Sequence, residues 1–182
     1  GDTQAIDMMT AVLTDPFGHG HMGVTAENVA ETHGISREQQ DIFAVESHRR
    51  AAHAIEEGRF DEQIVPITLK SRKGDQEFTI DEHVRAGANV EDMGKLRAVF
   101  KKDGSVTAGN ASAINDGASS VVLMTGKAAA KRGVAPLARV VSYGHAGVDP
   151  KLMGIGPVPA MQIALERAGL KADDLDVIES NE

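Results

Sequence analysis

Hydrophobic positions along the chain alternate between helical spacing and short apolar runs. Residues 25–33 fit a short helix, and a longer one opens at Ser36, which with Gln39 three residues on makes a capping box. Within it Ile42, Val45, Ala52 and Ile55 fall on one face, and Gly58 supplies the stop. Residues 64–70 and 77–81 read as two strands around the turn Arg72-Lys73-Gly74-Asp75. Pro66 has no N–H to give to a ladder, which confines the first strand to an edge or a bulge. Val121 to Met124 reads as a short buried strand, followed by an Ala-rich helix ending near Gly133. A second apolar run, Val140-Val141, precedes a loop from Gly144 to Pro159 that holds four glycines and three prolines. Met161, Ala164, Leu165 and Ala168 mark a last amphipathic helix, stopped by Gly169, and Leu175 to Ile178 reads as a final strand. From residue 119 onward the order β-α-β-loop-α-β implies a layered α/β core, while residues 1–114 look like a separate α+β lobe.

Composition narrows the function classes. At 182 residues the chain is about one domain long, enough for a real core. Hydrophobic residues make up 41% and charged residues 25%, and no apolar run approaches the ~18 needed to span a bilayer, so a soluble, non-membrane protein is expected. With no Trp, one Tyr and five Phe, its core must be aliphatic and rich in alanine. The net charge of -8, with no segment that concentrates Lys and Arg, argues against a nucleic-acid partner. No signal peptide or lipidation pattern is visible, so a cytoplasmic location is the expectation. The absence of cysteine removes disulfides, thiolate metal sites and any Cys nucleophile from what this polypeptide can do by itself. Gly1 in place of Met, and a stop at Glu182 directly after a strand-like run, suggest a piece of a longer protein.

The stretch from Thr107 to Ser120, TAGNASAINDGASS, carries one large apolar side chain. Its small residues leave backbone N–H and C=O groups open to close approach, which suits either a loop gripping an extended polar molecule or a tight connection packed between layers. It is neither a Walker loop nor a dinucleotide fingerprint, since it has no Gly-Lys-Ser/Thr and no Gly-x-Gly-x-x-Gly. His19-Gly20-His21, without carboxylate or Cys support, reads as a polar loop and not as a metal site.

The same stretch resembles the Thr-Ala-Gly-Asn-Ala-Ser-Gly-x-Asn-Asp-Gly-Ala segment of thiolases, the acetyl-CoA acetyltransferases and 3-ketoacyl-CoA thiolases. Three further stretches resemble that family in the same order: HMGVTAENVAE from His21, GVDPKLMGIGPVPA from Gly147, and DLDVIESNE, which matches the start of an Asn-Glu-Ala-Phe motif. The resemblance covers essentially the whole chain, and GHAGVDP and GIGPVPA lean toward bacterial biosynthetic β-ketothiolases of fatty acid or polyhydroxyalkanoate metabolism.

The resemblance implies a layered α/β fold with an inserted α+β loop domain that covers coenzyme A. Residues 1–114 would be most of that loop domain, 115–135 the end of the N-terminal core half, and 136–182 the start of the C-terminal half. CoA thioesters such as acetyl-CoA would be substrates, with no covalently bound cofactor and no metal. Ser112 matches a serine that hydrogen-bonds the pantetheine arm, with Ala108 and Gly109 lining the same tunnel. Arg85 matches an arginine against the adenine, Leu13 and Phe100 match apolar neighbours of the coenzyme, and His21 and Met22 match a pair beside its acyl end. Met153 matches a methionine flanking the acyl pocket, and Asn181 an asparagine holding a water in an oxyanion hole.

Thiolases acylate one cysteine, use a second to take a proton from acetyl-CoA, and activate the nucleophile with a histidine. The family places the nucleophile upstream of this segment, and the histidine (Gly-His-Pro) and second cysteine (Cys-x-Gly-Gly-Gly) downstream. His145, in Tyr143-Gly144-His145-Ala146, is not that histidine. The expected partners are therefore CoA thioesters and remaining thiolase polypeptide carrying those groups, in a parent that is a homo-oligomer, commonly a tetramer. The isolated chain is expected to be inactive; the alternative is a non-catalytic CoA-binding or structural fragment of a split or nicked thiolase. Ala113 replaces a usual Gly, at about a kcal/mol if the position needs positive φ, and Ser180 replaces a usual Ala.

Overall fold

Two compact units, Gly1–Ala113 and Ile114–Glu182, make up the computed structural model, which describes residues 2–180 apart from the side chain of Met9. In the first unit a short helix α1 (Met8–Val12) leads into a tight hairpin of β1 (Thr14–Asp15) and β2 (Gly20–His21), paired antiparallel with Thr14 opposite His21. The Asp15 carboxylate closes the hairpin by accepting the backbone N–H groups of Phe17 and His19.

Helix α2 (Met22–His33) starts three residues before the expected position, because the His21 ring does the capping: its Nδ1 accepts the Gly23 N–H at 3.1 Å. Gly34, at φ 64°, ends the helix in the left-handed conformation. Helix α3 (Arg37–Glu56) has the expected capping box, with Ser36 Oγ accepting from the Gln39 N–H and the Gln39 side chain accepting from the Ser36 N–H. Gly58 follows at φ 68°. Of the stripe on α3, Val45 and Ala52 are half-buried while Ile42 and Ile55 are exposed.

The expected hairpin forms as β3 (Ile67–Leu69) and β4 (Gln76–Phe78), with Ile67 opposite Phe78. Both strands are shorter than the sequence pattern, and β3 begins immediately after Pro66. Helix α4 (Val90–Gly94) is capped by Asn89, whose side chain accepts the Asp92 N–H. A single bridge, Ala98 to Thr107, then brings the chain back across the unit.

The second unit contains α5 (Gly126–Arg132) and α6 (Pro157–Ala168), each ended by a left-handed glycine, Gly133 and Gly169. The segment expected to be loop from Gly144 to Pro159 is partly ordered: Asp149 caps a 3-10 turn over Pro150–Ile155, and α6 already starts at Pro157, where a missing N–H costs nothing. Gly144 lies against α6 so closely that a Cβ there would overlap the Ala160 carbonyl. Ser142 Oγ donates to the Ala164 carbonyl at 2.5 Å, and Arg167 donates to the Tyr143 carbonyl at 2.8 Å.

The three strands expected at 121–124, 140–141 and 175–178 do not form; among the described residues the sheets are the two hairpins of the first unit. A strand needs a neighbour to take its N–H and C=O groups, and no described segment pairs with these three. Val121, Val122 and Leu123 are 77%, 84% and 77% exposed, so the run has neither ladder nor cover. Residues 114–180 thus form helices and 3-10 turns without a sheet.

Candidate functional site

The small-residue stretch at 107–112 is held by a buried polar framework. Thr107 is fully buried, and its N–H donates to Asn110 Oδ1 at 2.7 Å while its Oγ1 accepts the Gly109 N–H at 3.2 Å. Asn110 Nδ2 donates to Asp41 Oδ1 at 2.9 Å and to the Ser105 carbonyl at 3.0 Å. The other oxygen of the buried Asp41 accepts from Arg37 Nε at 2.7 Å, and Arg37 Nη2 donates to the carbonyls of Met93 and Leu96. Arg37, Asp41 and Asn110 therefore tie the 105–111 turn on one side to the end of α4 on the other.

Glu27 of α2 anchors the same turn from below. Its buried carboxylate accepts the N–H groups of Ser105 and Val106 and the Ser105 hydroxyl, all at 2.8–2.9 Å. Burial pushes the Glu27 carboxyl up, but the backbone bonds from Ser105 and Val106, the Ser105 hydroxyl and the charge of Lys101 together outweigh it and hold it below the ordinary carboxylate range. A carboxyl with a lowered folded-state pKa contributes stability that is complete above its unfolded value and is lost as the pH falls through the folded one. Acidification below about pH 4.3 is therefore expected to lower the urea midpoint more steeply in the parent than in Glu27→Gln; parallel pH profiles would refute the role.

Between these elements lies a cleft of about 510 Å³ within the first unit. Arg85, Ala108 and Gly109, three of the residues singled out by the resemblance, line it together. Gly109 packs so tightly on the floor formed by Met93 and Leu96 that a Cβ would overlap both side chains. Sequence reasoning missed His48, His83, Met93 and Leu96, which share the lining with Asp92 and the 87–89 turn and carry no local motif.

Leu13, His21, Met22 and Phe100 gather elsewhere in the same unit. The His21 and Phe100 rings stack at 4.8 Å with a 17° tilt, the Met22 N–H donates to the Leu13 carbonyl at 2.7 Å, and the Phe100 ring lies directly on Gly23. An imidazole stacked on a phenyl face beside the half-exposed Met22 makes an apolar shelf with one polar edge. Ser112 is exposed and outside the lining of the cleft. Met153 lies in the second unit, on the 3-10 turn, and is partly exposed. Asn181 falls outside the described residues.

Ala113 needs no left-handed backbone: among the described non-glycine residues Asp103 alone has positive φ, at 59°. The conditional cost of a Cβ there therefore does not arise. His19 and His21 serve the hairpin and the helix cap, and among the described residues no group of three or more His, Cys, Asp or Glu could hold a metal. No described helix is long and apolar enough to cross a membrane.

Comparison with known proteins agrees with the motifs. Residues 1–127 match the family model "Thiolase, N-terminal domain" and residues 134–182 match "Thiolase, C-terminal domain". The chain is 63% identical over its whole length to the beta-ketothiolase BktB of Cupriavidus necator, of which it covers 46%. Among solved structures it is 49% identical to the acetyl-CoA acetyltransferase of Bacillus anthracis (TM-score 0.84), over 97% of this chain and 45% of that one. It is 42% identical to human mitochondrial 3-ketoacyl-CoA thiolase solved in complex with CoA (TM-score 0.83), again over 97% and 45%. The chain spans about half the length of the curated relatives it matches. The α/β fold expected from the motifs is the fold of these structures.

Proposed function

The chain belongs to the thiolase family, and from that premise we propose that it supplies the coenzyme-covering part of an acetyl-CoA C-acetyltransferase. The parent enzyme transfers an acetyl group between CoA thioesters, forming or thiolysing acetoacetyl-CoA or a related 3-ketoacyl-CoA. In this reading residues 1–114 are the loop domain, 115–135 close the first core half and 136–182 open the second. Its partners are CoA thioesters, the remaining thiolase polypeptide with two cysteines and a histidine, and copies of the parent in a homo-oligomer, in the cytoplasm.

The observation that carries the reading is the cleft in which Arg85 faces the Ala108-Gly109 turn, with the turn pinned by Asn110, Asp41 and Glu27. A cation beside an open, rigid backbone and an apolar floor suits a ligand with anionic, planar and extended amide parts, and coenzyme A has all three. Ser112, next along the turn, donates to or accepts from the pantetheine amides, and the His21 and Phe100 shelf attends the acyl end; Met153 enters by the family resemblance alone, as an acyl-pocket residue of the parent enzyme. Asn181 holds the oxyanion water.

Titration of the 182-residue chain with CoA tests the assignment. Ser112→Ala is expected to weaken binding about 5-fold, the value of one hydrogen bond in a pocket that has survived. Binding in neither form would favour the second reading, a structural piece without a coenzyme pocket of its own, which the absence of any cysteine keeps in view.

A further inference from the structure

We propose that His48 is a positioning residue of the coenzyme cleft: from α3 its Nδ1 accepts the backbone N–H of Arg85 at 3.3 Å and holds the segment that presents the Arg85 guanidinium. The inference rests on the reading of the cleft as a CoA site.

The segment from the end of β4 to Asn89 has no regular structure of its own. Its internal hydrogen bonds are local turns, His83 N–H to Asp81, Ala88 N–H to the Arg85 carbonyl and Asn89 Nδ2 to the Gly87 carbonyl. Such turns fold a chain back on itself without fixing it against anything else. The bond from Arg85 to His48 crosses 37 residues of sequence and lands on a helix of 20 residues. The His83 ring sits 6.4 Å from the His48 ring, so a second residue of the segment meets the same side chain.

The charge in the cleft makes this placement matter. Asp92, the carboxylate in the lining, is already taken by Lys95 and Asn89. That leaves the Arg85 guanidinium without an ion pair among the described residues, as a cation open to an anionic ligand. An arginine gains affinity from its charge only if its backbone is held where the ligand arrives, because ordering it at the moment of binding costs conformational entropy. With His48 Nδ1 as its acceptor, the Arg85 N–H is satisfied before any ligand enters.

His48→Ala and His48→Asn separate this role from general folding, because an asparagine Oδ1 stands about where the histidine Nδ1 does. Amide hydrogen exchange on the free chain and titrations with CoA and with pantetheine, which lacks the nucleotide, are the readouts. The Arg85 amide is expected to exchange faster in His48→Ala and at the parent rate in His48→Asn. CoA is expected to bind about 5-fold more weakly to His48→Ala and within about 2-fold of the parent to His48→Asn, with pantetheine unaffected by either. Unchanged exchange in His48→Ala, unchanged CoA affinity despite faster exchange, or an equal loss for pantetheine would each overturn the proposal. Failure of the parent chain to bind CoA, with exchange as expected, would instead bring down the reading of the cleft and take the proposal with it.

Discussion

Acetoacetyl-CoA and CoA incubated with the purified 182-residue chain are expected to yield no acetyl-CoA above the buffer blank. Thiolysis breaks a carbon–carbon bond by attack of a thiolate on a ketone, and the acyl group must then sit on the protein until CoA collects it. The chain has no cysteine, so the attacking atom is missing. The nearest substitute, the Ser112 hydroxyl, has no histidine or carboxylate hydrogen-bonded to it among the described residues, and an unassisted hydroxyl at neutral pH is a poor nucleophile. General acid–base help, worth about 10²–10⁴-fold where it exists, acts on a nucleophile and cannot replace one. Adding polypeptide that carries the two cysteines and the histidine is expected to restore turnover. Acetyl-CoA formation by the pure chain, followed by coupled absorbance, would end this account of its chemistry.

The second large effect belongs to Asp41. Asp41→Ala is expected to destabilise the first unit by about 3 kcal/mol, measured by urea unfolding followed by circular dichroism. The substitution removes a buried acceptor from Arg37 Nε and from Asn110 Nδ2 together, and it empties the space between two half-buried side chains. It also frees the two walls of the cleft from each other, so CoA affinity should fall in the same variant. Glu46 provides the contrast on the same helix: it pairs with Arg49 and Arg50 in the open, where an ion pair contributes little, and Glu46→Ala should leave the midpoint where it was. An Asp41→Ala midpoint equal to that of the parent would show that the framework is decorative.

The helix boundaries were legible wherever a terminus declares itself locally. Ser36 with Gln39, and the glycines at 34, 58, 133 and 169, each act within a turn of the chain, and a reader of the sequence sees all the parts at once. His21 shows the limit of that vocabulary, since an imidazole nitrogen caps α2 where a serine or aspartate would be looked for. Strands fail for a deeper reason. Val121 to Leu123 has the right residues, but a strand is a relation between two segments, and the chain spans about half the length of its curated relatives.

The polar framework was hidden for the opposite reason. Asp41 and Glu27 belong to no motif of the sequence, and their partners Asn110 and Val106 lie 69 and 79 residues away. The motif at 107–112 drew attention to Ser112 and Gly109, while Asn110, between them, does the structural work of joining the turn to α3. The grouping of Arg85 with Ala108 and Gly109 came from family resemblance alone, since nothing near Arg85 in sequence distinguishes it from a surface charge.

The uncovered runs at 121–123, 140–141 and 177–178 have a practical side at the bench. Each is rich in valine, isoleucine or leucine, and each offers backbone groups that no neighbour has claimed. Adhesive β edges of this kind pair with whatever arrives first, which in a concentrated preparation is another copy of the same chain. The unit at 114–182 thus offers three starting points for precipitation, and charged gatekeeper substitutions at Val122 or Val141 are the place to start in keeping the chain in solution.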